Sequence, residues 1–184
     1  MTAFIIRYGI IGGVIVTIAV LWNWLVLTPG KEPVTGMVFG YLIMLVALTA
    51  VFLGIKAYRD KALGGAIRFM PAFAVGLGIS AVASLFYVVS WEICMAYSSY
   101  DFIAHYQTMM LDAAKAKGAT PAQLQQAMTE AESFATMYRN PVIRMCFTFI
   151  EMFPVGILIS LISAAVLRNS RVLPARKFGS DPVQ

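Results

Sequence analysis

Charged residues are scarce in this chain of 184 residues: they make up 12% of the sequence, whereas hydrophobic residues make up 60%. The mean hydropathy of +0.78 is well above the balance of a soluble globular domain. The apolar residues also come in long unbroken runs, without the periodic polar positions that give a soluble helix a water-facing side. These features exclude an ordinary soluble fold and indicate an integral membrane protein.

Residues that build catalytic and metal sites are equally rare. The two cysteines, Cys94 and Cys146, are too few for a disulfide framework or a metal cluster of their own. We interpret them as packing residues, and a disulfide between them is the alternative, since both lie near the same predicted membrane boundary. No phosphate-binding loop, nucleophile elbow, His-Glu-x-x-His sequence or dinucleotide fingerprint is present. The sequence therefore favours a protein that is not an enzyme, and it predicts no cofactor.

Four apolar segments are each long enough to cross a hydrocarbon layer of about 30 Å as a helix. They are residues 4–27, 35–55, 69–97 and 142–167. The first has no small-residue cleavage site at its end, so we predict a retained span and not a signal peptide. The expected fold class is all-α: residues 1–184 form a single membrane domain, an integral membrane four-helix bundle.

The segment 98–140, between the third and fourth spans, is too polar to cross a membrane but keeps helical spacing. Its apolar residues recur every three or four positions, in one group before Gly118 and in another after it. Gly118 is suited to a helix C-cap, and Thr120, Pro121 and Gln123 have the pattern of a capping box. We therefore predict a helical hairpin that packs over one face of the membrane.

The basic residues predict the orientation, because loops rich in Lys and Arg are retained in the cytoplasm. The side with the N-terminus, the second loop and the tail 168–184 holds nine Lys and Arg residues against two Asp, whereas the opposite side holds five basic and five acidic residues. Both termini are therefore predicted to be cytoplasmic and the hairpin extracytoplasmic. Candidates for contact with lipid headgroups on the cytoplasmic side are Lys56, Arg59 and Arg68.

Two carboxylates, Glu92 and Glu151, lie inside apolar spans, where a charge is expensive and commonly marks a functional site. The topology places both in the outer half of the membrane, together with Asn23. Arg144 precedes Glu151 by seven residues, two turns on one helical face, so its side chain could reach toward that carboxylate. Pro154 is a candidate bend beside Glu151. Local pairing that only fixes the helix register is the alternative role for these acids.

Asp101 and His105 lie four residues apart on one predicted helical face just outside the membrane. Together with Glu92 they could form a metal site. A hydrogen bond on the helix surface is the preferred interpretation, and we predict no metal.

Small residues recur every four positions within the spans. Gly9 and Gly13 form one such pair in the first span, and Gly36 and Gly40 form another in the second. This spacing permits two helices to approach closely. We expect the contact to be within the bundle, and contact between subunits is the alternative.

Two stretches carry a family resemblance: Gly-Ile-Lys-Ala-Tyr-Arg-Asp at 54–60 and Glu-Met-Phe-Pro-Val-Gly at 151–156. With the segments 91–93, 101–102 and 138–141, they resemble the bacterial membrane family called domain of unknown function 4199. The resemblance covers nearly the whole chain. It implies a four-span protein of the bacterial inner membrane and brings no catalytic residues to transfer.

The leading functional hypothesis is a non-enzymatic membrane protein that binds a lipid or a membrane-protein partner through the outer-half polar residues and the hairpin. The alternative is a small oligomeric proton- or cation-coupled transporter that uses Glu151. A lipid-acting interfacial enzyme with Glu92, Asp101 and His105 ranks third. The expected partners are membrane lipids, with another membrane protein or further copies of this chain as additional candidates, and no nucleic acid.

Overall fold

The computed structural model describes residues 1–26, 33–97 and 102–175, and the side chains of residues 1–22, 40–97 and 103–175. Six helices account for most of this part of the chain, and no strand occurs in it. The prediction of an all-α fold is confirmed. The helices are α1 (Thr2–Val26), α2 (Pro33–Ala62), α3 (Phe69–Tyr97), α4 (Phe102–Ala116), α5 (Pro121–Tyr138) and α6 (Pro141–Leu167).

Four of these helices are long and apolar enough to cross a membrane, so the chain is a multi-pass membrane protein. The candidate spans are Thr2–Trp22, Gly40–Ala62, Phe69–Tyr97 and Pro141–Leu167. Helix α2 continues beyond the apolar segment 35–55 to Ala62. Its last turns carry Lys56 and Asp60, whose side chains pair at 2.6 Å in the i,i+4 arrangement that supports a helix.

The two ends of the bundle differ in what they carry. The ring of Phe4, at the start of α1, meets that of Tyr58, near the end of α2, with 5.5 Å between ring centroids. The end of α6 also lies here, since the carbonyl of Leu167 accepts a hydrogen bond from Arg59 of α2. We call this the terminal end. The opposite end, where α3 ends and α6 begins, is the hairpin end.

Helices α2 and α3 contact each other at the middle of the bundle, and each packs against both α1 and α6. Side chains that are completely buried line these contacts, and outward-facing Leu, Ile and Val side chains provide a surface suited to lipid. The completely buried apolar side chains include Leu48, Val51, Ile55, Val75, Ile79 and Met152.

Glycines bring α1 against α3. A Cβ on Gly9 would lie 2.6 Å from the Cβ of Val82, and one on Gly13 would overlap the ring of Phe86. The first glycine pair therefore serves packing within the bundle. Phe86 follows Val82 by the same number of residues as Gly13 follows Gly9, so α1 and α3 run parallel. Gly40 is different, because a Cβ there would meet no described atom within 4 Å. The side-chain position of Gly36 lies outside the described residues.

Helices α3 and α6 approach closely through serine and glycine. A Cβ on Gly156 would lie 2.6 Å from the Cβ of Ser80, and one on Gly76 would lie 2.8 Å from that of Ser160. The hydroxyl of Ser80 donates to the carbonyl of Gly156 at 3.2 Å, and that of Ser160 donates to the same carbonyl at 2.7 Å. Small side chains thus allow hydrogen bonds that a larger residue would block.

Helices α4 and α5 pack against each other as a helical hairpin. Gly118 has a φ of +71°, the left-handed conformation typical of a glycine just beyond a helix C-terminus. Thr120 and Gln123 form the capping box: each side chain accepts a hydrogen bond from the backbone N–H of the other. Helix α5 in turn packs against α6, which attaches the hairpin to the bundle.

Candidate functional site

Glu92 and Arg144 form an ion pair at the hairpin end, joining α3 to α6. The guanidinium Nε donates to Oε1 of Glu92 at 2.7 Å, and a second donor of the same group binds Oε2. The side chains are 17% and 15% exposed. Such a two-pronged pair is the strongest arrangement that arginine and a carboxylate adopt. It also cross-links two spans where the apolar surface of the bundle ends.

The prediction that Arg144 reaches toward Glu151 is wrong. Seven residues along a helix correspond to about 10 Å, so Glu151 lies two turns deeper in the span than Arg144. The side chain of Arg144 is directed to Glu92 instead, because the neighbouring helix presents that carboxylate close to its own level. A charge pair near the end of a span is also less costly than one drawn into hydrocarbon.

Glu151 lies on the outer surface of the bundle, within the span of α6. It is ten residues after Pro141, or about 15 Å along the helix. Its side chain is exposed. Its Oε2 accepts a hydrogen bond of 3.1 Å from the hydroxyl of Tyr87 on α3. Tyr87 is buried, at 8% exposure. Glu151 is therefore an exposed residue whose carboxylate is tied to the buried Tyr87.

Tyr138, at the end of α5, connects the hairpin to the bundle. Its hydroxyl accepts a hydrogen bond of 2.8 Å from the indole nitrogen of Trp91 on α3. Its ring stacks on Phe134 at 5.1 Å, which in turn meets Tyr106 of α4 at 4.6 Å. Burial raises the pKa of the Tyr138 phenol, so this group remains a neutral hydrogen-bonding partner. The hairpin is thereby fixed beside Glu92 and Arg144.

A small cleft opens between α1, α2 and α3, towards the hairpin end of the bundle. Its volume is about 70 Å³, well below the several hundred Å³ typical of small-molecule sites. The polar atoms of its two aromatic residues are engaged elsewhere: Tyr87 donates to Glu151 and Trp91 donates to Tyr138. The cleft therefore offers apolar surface. It is lined by Val16, Ala19, Val20, Gly40, Ile43, Met44, Tyr87 and Trp91.

The remaining predicted site residues are Asn23, Asp101 and His105. The side chain of Asn23 and the whole of Asp101 lie outside the described residues, and His105 lies on the exposed side of α4. Among the described residues, no three Asp, Glu, His or Cys side chains are placed to hold a metal ion. Both cysteines are free thiols, with Cys94 buried and Cys146 exposed.

Sequence reasoning missed the role of Arg59 at the terminal end. The prediction that Arg59 contacts lipid headgroups is not compatible with its complete burial, at 0% exposure. Its guanidinium donates to the carbonyls of Leu167 at 3.4 Å, Val172 at 2.9 Å and Leu173, and its Nε donates to Asp60 at 2.7 Å. Carbonyls at the end of a helix lack donors of their own. Arg59 supplies these donors to the end of α6 and to the segment that follows it.

The two stretches that suggested a family thus have distinct structural places: 54–60 at the terminal end and 151–156 on the outer surface of α6. Residues 7–169 match the model of the family described as "Protein of unknown function (DUF4199)". The chain belongs to this family. Comparison with curated proteins and with solved structures finds no match. The predicted family resemblance is confirmed, and the two stretches contribute the buried Arg59 and the exposed Glu151.

Proposed function

We propose that this DUF4199 protein is a non-enzymatic membrane protein that binds a membrane lipid at the carboxylate of Glu151. The observation that carries the proposal is the exposed position of this side chain within a span, with the hydroxyl of Tyr87 as its hydrogen-bond donor. A carboxylate at membrane depth is costly to leave without further partners. A lipid that offers a hydroxyl or an amine supplies the missing donor.

The surroundings of Glu151 support a lipid in particular. Glu151 is exposed on the outer surface of the bundle, where lipid can reach it, and Tyr87 links its carboxylate to the apolar cleft between α1, α2 and α3. A polar group beside apolar surface matches the two parts of a lipid molecule. The end of the hairpin that Tyr138 holds beside this region is proposed as a second recognition surface.

These features favour binding at the surface of the bundle over transport through it. Helix α6 continues through Pro154 as one helix, whereas transporters commonly present interrupted helices at their ion sites. The cleft of about 70 Å³ is small, and Glu151 lies on the outside of the bundle rather than facing an enclosed path.

Replacement of Glu151 by glutamine is expected to weaken lipid retention about tenfold or more. The substitution keeps the shape of the side chain but removes the charge, and a hydrogen bond to a charged group contributes about 1.5–3 kcal/mol. Native mass spectrometry of protein extracted with its surrounding lipids measures the effect. A suitable control is Thr49→Val, since Thr49 is an exposed polar residue of α2 whose hydroxyl already donates to the carbonyl of Val46 at 2.6 Å.

The same experiment separates the proposal from its competitors. Loss of a lipid from the Glu151→Gln protein, with retention in the control, supports the lipid site. Loss of a copurifying polypeptide instead would identify a membrane-protein partner and replace the lipid in this account. Identical spectra for all three proteins would leave Glu151 with a structural role and contradict the proposal.

A further inference from the structure

The terminal end of the bundle contains two turns that are held together. The first, residues 63–68, connects α2 to α3, and the second is the segment 168–175 after α6. Arg59 binds the second turn through the carbonyls of Val172 and Leu173. The first turn lies close to the second: a Cβ added to Gly65 would be 3.4 Å from the Cβ of Ala175.

These two joined turns and the end of α2 carry exposed cations that the fold leaves available. Lys61, Arg68, Arg168 and Arg171 are all exposed. None of them forms an ion pair with a described residue. The neighbouring carboxylate, Asp60, is already bound by Lys56 at 2.6 Å and by Arg59 at 2.7 Å. The described part of this end therefore presents positive charge that no described acid neutralises.

We propose that Lys61, Arg68, Arg168 and Arg171 form one binding surface for the phosphates of anionic lipids, and that Arg59 is the positioning residue that assembles it. The spans end here, so these side chains lie at the level of lipid headgroups. Without Arg59, the segment 168–175 would lose the two hydrogen bonds that its carbonyls accept from α2, and the end of α6 would lose a third at Leu167. The segment that carries Arg168 and Arg171 would then no longer be held against the end of α2 and the turn that carries Arg68.

The role of Arg59 depends on its shape as well as its charge. The guanidinium presents several donors in a rigid planar fork, which allows it to bind three carbonyls and Asp60 at once. A lysine at this position keeps the charge but offers a compact ammonium group. The variant Arg59→Lys therefore releases the segment without changing the net charge of the protein.

Titration of the purified protein with phosphatidylglycerol or phosphatidylcholine, followed by native mass spectrometry, tests the surface. Each basic residue at an anionic membrane surface contributes about fivefold in affinity, so Arg168→Gln with Arg171→Gln is expected to weaken phosphatidylglycerol binding about 25-fold. Phosphatidylcholine binding should not change. The matched control is Lys115→Gln with Lys117→Gln, which removes two exposed cations from the end of α4 and the turn that follows it, at the opposite end of α5 from Tyr138.

The proposal also requires that folded Arg59→Lys protein bind phosphatidylglycerol several-fold more weakly than wild type, at unchanged net charge. Binding equal to wild type in that protein would overturn the positioning role of Arg59. If Arg59→Lys does not fold, the Arg168→Gln and Arg171→Gln protein decides alone: a loss no greater than that of the hairpin control would overturn the surface. Inorganic phosphate at matched concentration should not displace the lipid, and displacement would mean a free-phosphate site instead.

Discussion

Arg59→Met is expected to lower the free energy of unfolding by about 3–5 kcal/mol, the usual cost of removing one partner from a buried charged network. The substitution leaves the carbonyls of Leu167, Val172 and Leu173 without their donor, and it leaves Asp60 with Lys56 alone. Methionine fills much of the vacated space, so the loss reports mainly the missing hydrogen bonds. Unfolding of the purified protein in detergent, monitored by circular dichroism, gives the measurement.

The control for this prediction is Arg68→Met, which removes an exposed arginine from the same end of the bundle. Its effect is expected to stay within about 0.5 kcal/mol, as for most surface substitutions. A free energy of unfolding for Arg59→Met that lies within about 1 kcal/mol of this control would show that the buried guanidinium does not stabilise the fold.

Gly156→Val is expected to destabilise the protein by about 3 kcal/mol, at the upper end of the range for overpacked cores. A Cβ on Gly156 would already lie 2.6 Å from that of Ser80, so valine must push α6 away from α3. The displacement would also break the hydrogen bond of 3.2 Å from Ser80 to the carbonyl of Gly156. The same unfolding experiment measures the loss.

Gly40→Val provides the matched comparison, because a Cβ at Gly40 meets no described atom within 4 Å. Removing a glycine from a helix should leave the stability unchanged or slightly raised. Equal destabilisation by the two substitutions would contradict this account, because valine would then cost as much where a Cβ meets no described atom as it does at the contact between α3 and α6.

The fold could be predicted from the sequence because its main signals are local. A hydrophobic run long enough to span a membrane leaves few alternatives to a helix. The turn of the hairpin could also be predicted, because Thr120 and Gln123 have the spacing of a capping box and Gly118 is suited to a helix end. Each of these features depends on residues that are close together in the chain.

The partners of the charged residues could not be predicted in the same way. Sequence spacing shows which side chains share a helical face. On that basis, Arg144 is predicted to reach toward Glu151. The actual partner, Glu92, is 52 residues away on another helix, and nothing in the spacing brings the two together. The exposure of Glu151 could not be predicted either, because a helix that is apolar on all sides gives no sign of which face is exposed.

One feature of the sequence does indicate that Arg59 is buried. Leu48, Val51, Ile55 and Arg59 follow one another at spacings of three and four, and all four are completely buried. The arginine thus continues the core-facing stripe of α2 beyond the apolar segment. A basic residue at such a position predicts a buried partner rather than a headgroup contact.

Photocrosslinking in membranes that contain a lipid with a photoreactive acyl chain tests the central claim, a lipid site at Glu151, most directly. Mapping of the labelled peptides is expected to concentrate the label on α6 around residues 151–158 and to show its loss in the Glu151→Gln protein. Labelling spread evenly over the outward faces of the spans, and unchanged by Glu151→Gln, would contradict the account.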